Sequence, residues 1–209
     1  MAGNRQDLSA TRRALHGVAE LVLAGPEYRA SQTIRLRPVQ GGFATLRDPA
    51  LRVENGNLVG SHGSVPINGR SCADLAAAMG VNVGAPADLY HDGSGVAPNE
   101  VLAINPELAA LIIDGFDMGD AALRQFAPDQ SAVLWPEHFD LSVTVDEVNY
   151  GVSPGDTYLD EPYAYVGPRT PREDPFFNAP FGAAQPLRAL PTPAALTTFF
   201  ATGRDLATA

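Results

Sequence analysis

Apolar positions recur at helical spacing near the start of the chain. Leu8, Leu15, Val18, Leu21 and Val22 share one face, and Gly25-Pro26 supplies a stop, so a helix over 8–24 is predicted. The period then shortens to two. Ile34 and Leu36 alternate with Arg35 and Arg37, and Leu51 and Val53 precede the hairpin dipeptide Asn55-Gly56. Residues 32–67 therefore read as an antiparallel meander, with strands at 33–38, 43–46, 50–54 and 58–60. Ser71 and Asp74 form a capping-box pattern ahead of a short helix, 72–79. Residues 81–100, rich in Gly, Pro, Asp and Asn, read as a loop. Asn105 and Pro106 open a helix over 106–126, which Gly115 and Gly119 are expected to break from a second segment at 120–126.

The clearest alternation lies in LWPEHFDLSVTVDEV, residues 134–148. Phe139, Leu141, Val143 and Val145 fall on one side, and His138, Asp140, Ser142, Thr144 and Asp146 on the other. A strand over 139–147 with one apolar and one polar face is predicted. The Pro/Gly-rich run that follows, 149–181, reads as a long loop holding a strand at 162–166 and a possible second strand near Phe181. Thr192-Pro193 starts a final helix, 193–202. No repeat or linker divides the chain, so residues 1–209 read as one domain. The fold class expected is α+β: an antiparallel β-sheet core with helices packed on it and long Pro/Gly-rich loops.

Composition narrows the chemistry. Hydrophobic residues make up 45% of the 209 and charged residues 18%, enough apolar material for a core without staples. The net charge of −10 argues against nucleic acid or an anionic membrane as partner. No apolar run approaches the roughly 20 residues of a membrane helix. The polar start, MAGNRQDLSATRR, lacks a signal-peptide core, so the expected address is the cytoplasm. Cys72 is the only cysteine, which excludes an intrachain disulfide and a Cys-based zinc site. All 14 basic residues are Arg, so no Lys can serve as Schiff base or P-loop ligand. Gly-rich phosphate fingerprints and a Gly-x-Ser-x-Gly elbow are absent.

The stretches GGFAT, LWPEHFD, NYGVSPGD, EPYAYVGP and FFNAPFGA, in that order after LHGVAELVLAGPEYR, resemble an uncharacterised protein family of actinobacteria over nearly the whole chain. The resemblance implies a high-GC actinobacterial cytoplasm, in keeping with the missing lysines. That family has no assigned activity, so it carries no functional residues over.

Three groups of residues could carry chemistry. On a strand, His138 and Asp140 would stand side by side, either as an acid/base couple or as two ligands of a divalent metal that His91 or His62 would complete. The alternative is a wet sheet face with ordinary polar alternation. Arg35 and Arg37 could clamp an anionic ligand, or form a surface ladder with nearby carboxylates. Tyr150, Asp156, Tyr163, Tyr165 and Asn178 crowd into the 149–181 run, where they could line a pocket or simply pack. The first functional expectation is a cytoplasmic small-molecule-binding protein with a polar pocket between the His138/Asp140 strand and the 149–181 loop. The alternatives are a metal-dependent hydrolase or isomerase using His138 and Asp140, and a structural or partner-binding protein.

Overall fold

The computed structural model describes residues 2–90 and 93–208. The chain is an α+β protein built on a ten-stranded antiparallel sheet. The strands are β1 Leu36–Val39, β2 Gly42–Thr45, β3 Arg52–Glu54, β4 Asn57–Gly60, β5 Gly63–Pro66, β6 Val133–Trp135, β7 Asp140–Val145, β8 Val148–Ser153, β9 Tyr163–Pro168 and β10 Ala183–Pro186. They run in the order β10-β9-β8-β7-β6-β1-β2-β3-β4-β5. Two meanders, β1–β5 and β6–β10, are thus joined edge to edge through β1 and β6, with Leu36 opposite Leu134.

Helices α1 (Ala2–Gly17), α2 (Gly25–Ser31), α3 (Cys72–Ala78), α4 (Pro106–Phe126) and α5 (Pro193–Thr208) complete the fold. α3 and α4 begin where their caps dictate. The Ser71 hydroxyl accepts the Asp74 amide at 3.1 Å, and the Asp74 carboxylate accepts the Ser71 amide at 3.1 Å. Asn105 accepts the amides of Glu107 and Leu108, with Pro106 in the first turn. α4 lies against β1, β2, β7 and β8, and α5 packs on α4, β8 and β9. Leu141, Val143, Tyr150, Val152, Ala164 and Val166 are buried on this helix-covered face. No helix among the described residues is long and apolar enough to cross a membrane.

Four expectations are corrected. The first helix does not stop at Gly25-Pro26. It continues as a π-helical segment, Val18–Ala24, and then as α2. In this wider register the Gly25 amide reaches the Glu20 carbonyl. Pro26 has no N–H for the Leu21 carbonyl, and the Gly84 amide supplies it instead at 2.9 Å. The proline therefore leaves no orphaned acceptor, and the helix runs on.

Gly115 and Gly119 do not break α4. A Cβ on Gly119 would lie 2.8 Å from Val152 Cγ2, and one on Gly115 3.1 Å from Leu187 Cδ1, so both glycines serve close packing. The predicted 139–147 strand is a β7 strand that ends in a tight turn. Asp146 and Glu147 take φ of 50° and 63° and send the chain back as β8. The 149–181 run is accordingly not a loop from its start: Val148, Tyr150 and Val152 form the apolar side of β8.

Candidate functional site

β7, β8 and β9 bring three cross-strand rows to the sheet face opposite the helices. Ser142 pairs with Gly151 and Gly151 with Tyr165. Thr144 pairs with Asn149 and Asn149 with Gly167. Ser153 pairs with Tyr163. Gly151 leaves room that Tyr165 fills, since a Cβ there would lie 2.6 Å from the Tyr165 hydroxyl. The ring folds over the glycine, and its O–H donates to Asp140 Oδ2. A cavity of about 1280 Å³ opens on this face. Its floor is the polar side of β7–β9, and one wall is the exposed side of α1, carrying Ser9, Arg12, Arg13 and His16. The turn 136–139, the Gly155–Thr157 bend and Phe181 close the remaining sides.

Asp140 is 9% exposed, and burial raises its carboxyl above the usual range against the opposing pull of Tyr165 and His138. Burial and the neighbouring Asp140 push the Tyr165 phenol well up, so it keeps its proton and acts as the donor. A second tyrosine–aspartate pair lies beside the first. Tyr163 donates to Asp156 Oδ2 at 2.6 Å, while Asp156 Oδ1 accepts the amides of Tyr158 and Leu159. Burial, then this bond, raises Tyr163 too. Tyr163 and Phe181 stack with centroids 6.3 Å apart, and Tyr165 meets Phe181 edge-on at 6.5 Å.

His138 is not on the strand. It sits in the turn 136–139, its side chain 65% exposed and 3.9 Å from Glu137. Phe139 takes a left-handed φ of 55°, which lets the turn close while its ring packs against His16, Phe43 and Phe116. His138 and Asp140 both border the cavity, but as turn tip and strand start rather than as neighbours on one strand. Among the described residues, the expected metal set of His138 and Asp140 completed by His62 does not assemble. His62 sits in the β4–β5 turn next to Gly80, with four strands between β7 and β4. His91 lies outside the described residues. No group of three or more His, Cys, Asp or Glu side chains close enough to share a metal occurs among the described residues.

Other candidates scatter. Tyr150 lies on the helix-covered face between Phe126 and Phe200, with centroids 4.5 Å and 6.1 Å away, so it cannot reach the cavity. Arg35 stacks on Trp135 at 5.6 Å and is not part of the cavity wall. Arg37 donates to the Thr45 carbonyl at 3.3 Å and lines a smaller cavity of about 350 Å³ around residues 44–52. Asn178 brackets the backbone of Ala184, accepting its amide at 2.9 Å and donating to its carbonyl at 3.2 Å, which extends the edge of β10. His138, Asp140, Asp156, Tyr163 and Tyr165 are the candidates that the fold does gather.

Sequence reasoning predicted a helix here but placed no site residue on α1. The spacing held a signal: Arg12, His16 and Glu20 recur every fourth residue across α1 and the π-helical segment that continues it. His16 donates from Nε2 to the Pro136 carbonyl at 2.7 Å, and burial lowers its pKa, keeping it neutral. Glu20 is buried and accepts the Ser94 amide at 2.9 Å and the Ser94 hydroxyl at 2.6 Å, tying the 93–94 segment to the cavity rim.

Comparison of the chain with protein families, with curated proteins and with solved structures finds no match.

Proposed function

We propose that the protein binds a small organic molecule in the cavity between α1 and the polar face of β7–β9, in the cytoplasm of an actinobacterium. The observation that carries this reading is the cavity itself. At about 1280 Å³ it exceeds the usual ligand pocket, and separate segments of the chain contribute convergent polar groups and an aromatic wall. Two tyrosine–aspartate pairs in one cavity, with Asp140 buried and Asp156 exposed, fit a role in fixing the orientation of a bound polar molecule. The Tyr165 hydroxyl spends its proton on Asp140, so this pair presents oxygen lone pairs, held in fixed positions, as acceptors for a bound molecule. The four motif stretches that end in Asp140, Asp156, Pro168 and Phe181–Ala183 meet at this cavity, as does His16 of the helical stretch, which is how the family resemblance bears on the same reading.

A ligand-observed NMR screen of a fragment library against the full chain tests it. Hits should lose about tenfold or more in affinity for a Tyr165→Phe/Asp140→Asn double variant that retains its circular dichroism spectrum. Hits that bind the double variant unchanged would move the site elsewhere.

A further inference from the structure

Among the described residues, four buried side-chain nitrogen or oxygen atoms have no hydrogen-bond partner: Arg12 Nη1, Glu27 Oε2, and the hydroxyls of Tyr90 and Tyr150. Of these, only Arg12 belongs to the wall of the large cavity. The other two arginines there are engaged. Arg13 grips Glu100 through both terminal nitrogens, and Arg169 pairs with Glu147 at 3.1 Å. Arg12 has one long contact, from Nη2 to the Ser9 hydroxyl at 3.4 Å.

The carboxylate nearest in sequence to the Arg12 contact at Gly155 is already committed. Asp156 accepts two backbone amides and the Tyr163 hydroxyl, so it contributes its field but no bond to Arg12 Nη1. Space for the guanidinium depends on a glycine: a Cβ on Gly155 would lie 2.9 Å from Nη1. Burial lowers the Arg12 pKa more than the neighbouring acids restore it. Arg12 is half-buried: Nη1 is closed off beside Gly155, and Nη2, whose contact with Ser9 is long and exposed, is the nitrogen left to meet a partner. An anionic oxygen in the cavity would meet the guanidinium at Nη2, add a charge-assisted bond there and offset the desolvation of the whole group.

The aromatic wall stands next to this donor. Tyr163 acts electrostatically on Arg12, and its hydroxyl is fixed by the residue that follows Gly155. Phe181 is stacked on Tyr163 but remains 38% exposed at the cavity edge. Cation and apolar ring surface are thus within the span of one small molecule.

We infer that the molecule bound in this cavity is a small aromatic carboxylate, its carboxylate on the Arg12 guanidinium and its ring against Tyr163 and Phe181. The inference rests on the cavity being a ligand site and adds the chemistry of the ligand. A planar guanidinium matches a carboxylate through paired N–H bonds, and the ring edge-to-face arrangements already present in the wall extend naturally to one more ring.

Benzoate and its neutral analogue benzamide are the probes, titrated by ligand-observed NMR against the full chain. Benzoate should bind about tenfold more tightly than benzamide. Arg12→Gln should abolish that preference, and Arg12→Lys, which keeps the charge without the fork, should weaken benzoate about threefold or more while leaving benzamide unchanged. Arg52→Gln removes the same charge far across the sheet and should leave the preference intact. Equal binding of the two probes, failure of both to bind at millimolar concentration, or a benzoate preference that survives Arg12→Gln would each overturn the inference. Neutral library hits that depend on Tyr165 and Asp140 would do so while leaving the cavity as a binding site.

Discussion

Single side chains in this protein divide into those whose environment follows from their neighbours in sequence and those whose environment is assembled from afar. Glu27 belongs to the second kind. It sits in the first turn of α2 as an ordinary helix glutamate would, yet it is fully buried and accepts the backbone amide of Arg47, while its second oxygen has no partner. Burial pushes its pKa up to about 7, against the pull of the Arg47 and Leu46 amides. The folded value therefore lies above the unfolded one. The stability it contributes is complete below the ordinary glutamate value and is lost as pH rises through about 7. In urea denaturation, wild type should lose on the order of 1–3 kcal/mol between pH 5 and pH 8 that Glu27→Gln retains. Parallel pH profiles for the two proteins would show that Glu27 ionises as freely in the folded state as in the unfolded one.

Elements show how packing overrides local preference. Glycine inside α4 is unfavourable by helix propensity, and alanine would ordinarily stabilise such a position by up to about 1 kcal/mol. At Gly119 the opposite is expected. The added methyl would meet Val152 Cγ2 at 2.8 Å and Leu141 Cδ2 at 3.5 Å, where α4 crosses β7 and β8. Gly119→Ala should cost about 1–3 kcal/mol in chemical denaturation, and a stabilised variant would mean that α4 can shift away from the sheet at little expense. The same override explains the first helix. Gly-Pro is a sound local stop, and it fails here because a π-helical turn and the distant Gly84 amide remove the reason to stop. The β7–β8 turn was hidden for a related reason. Asp146-Glu147 is not a dipeptide that favours positive φ, so the residues beyond it read as a loop although Val148, Tyr150 and Val152 alternate as a strand should.

At the scale of the whole molecule, the two meanders are linked by only the Leu36–Leu134 pairing at the sheet seam, yet they share one core. α4 touches strands of both, and the apolar cluster is continuous from Leu8 to Ala207. The chain should therefore unfold in a single step. Far-UV circular dichroism, which reports all helices and strands, should give the same urea midpoint as the fluorescence of Trp135, which sits on β6 next to the seam. Separated midpoints would divide the molecule into two cooperative units. The cavity is also a property at this scale. α1, the β6–β7 turn, β7–β9 and the turn carrying Phe181 each supply one side of it, and none is a site alone.

The sequence by itself determined the features written within a few residues. Ser71 with Asp74 and Asn105 with Pro106 start their helices because a side chain and the amides it caps lie within one turn. Asn55-Gly56 turns β3 into β4 because both residues tolerate the φ of 48° and 76° that the hairpin needs. The two-residue alternation placed Asp140 opposite Leu141, and the crowding of Tyr163, Tyr165 and Asp156 marked a stretch that the fold brings to the cavity. The tertiary structure decided the rest. It set which tyrosines face the cavity, since Tyr150 and Tyr165 are both strand residues and only strand register separates them. It sent Arg37 and Asn178 to backbone contacts and brought Arg12 to Gly155. Such outcomes depend on partners far along the chain, whose distance and direction no local pattern of residues encodes.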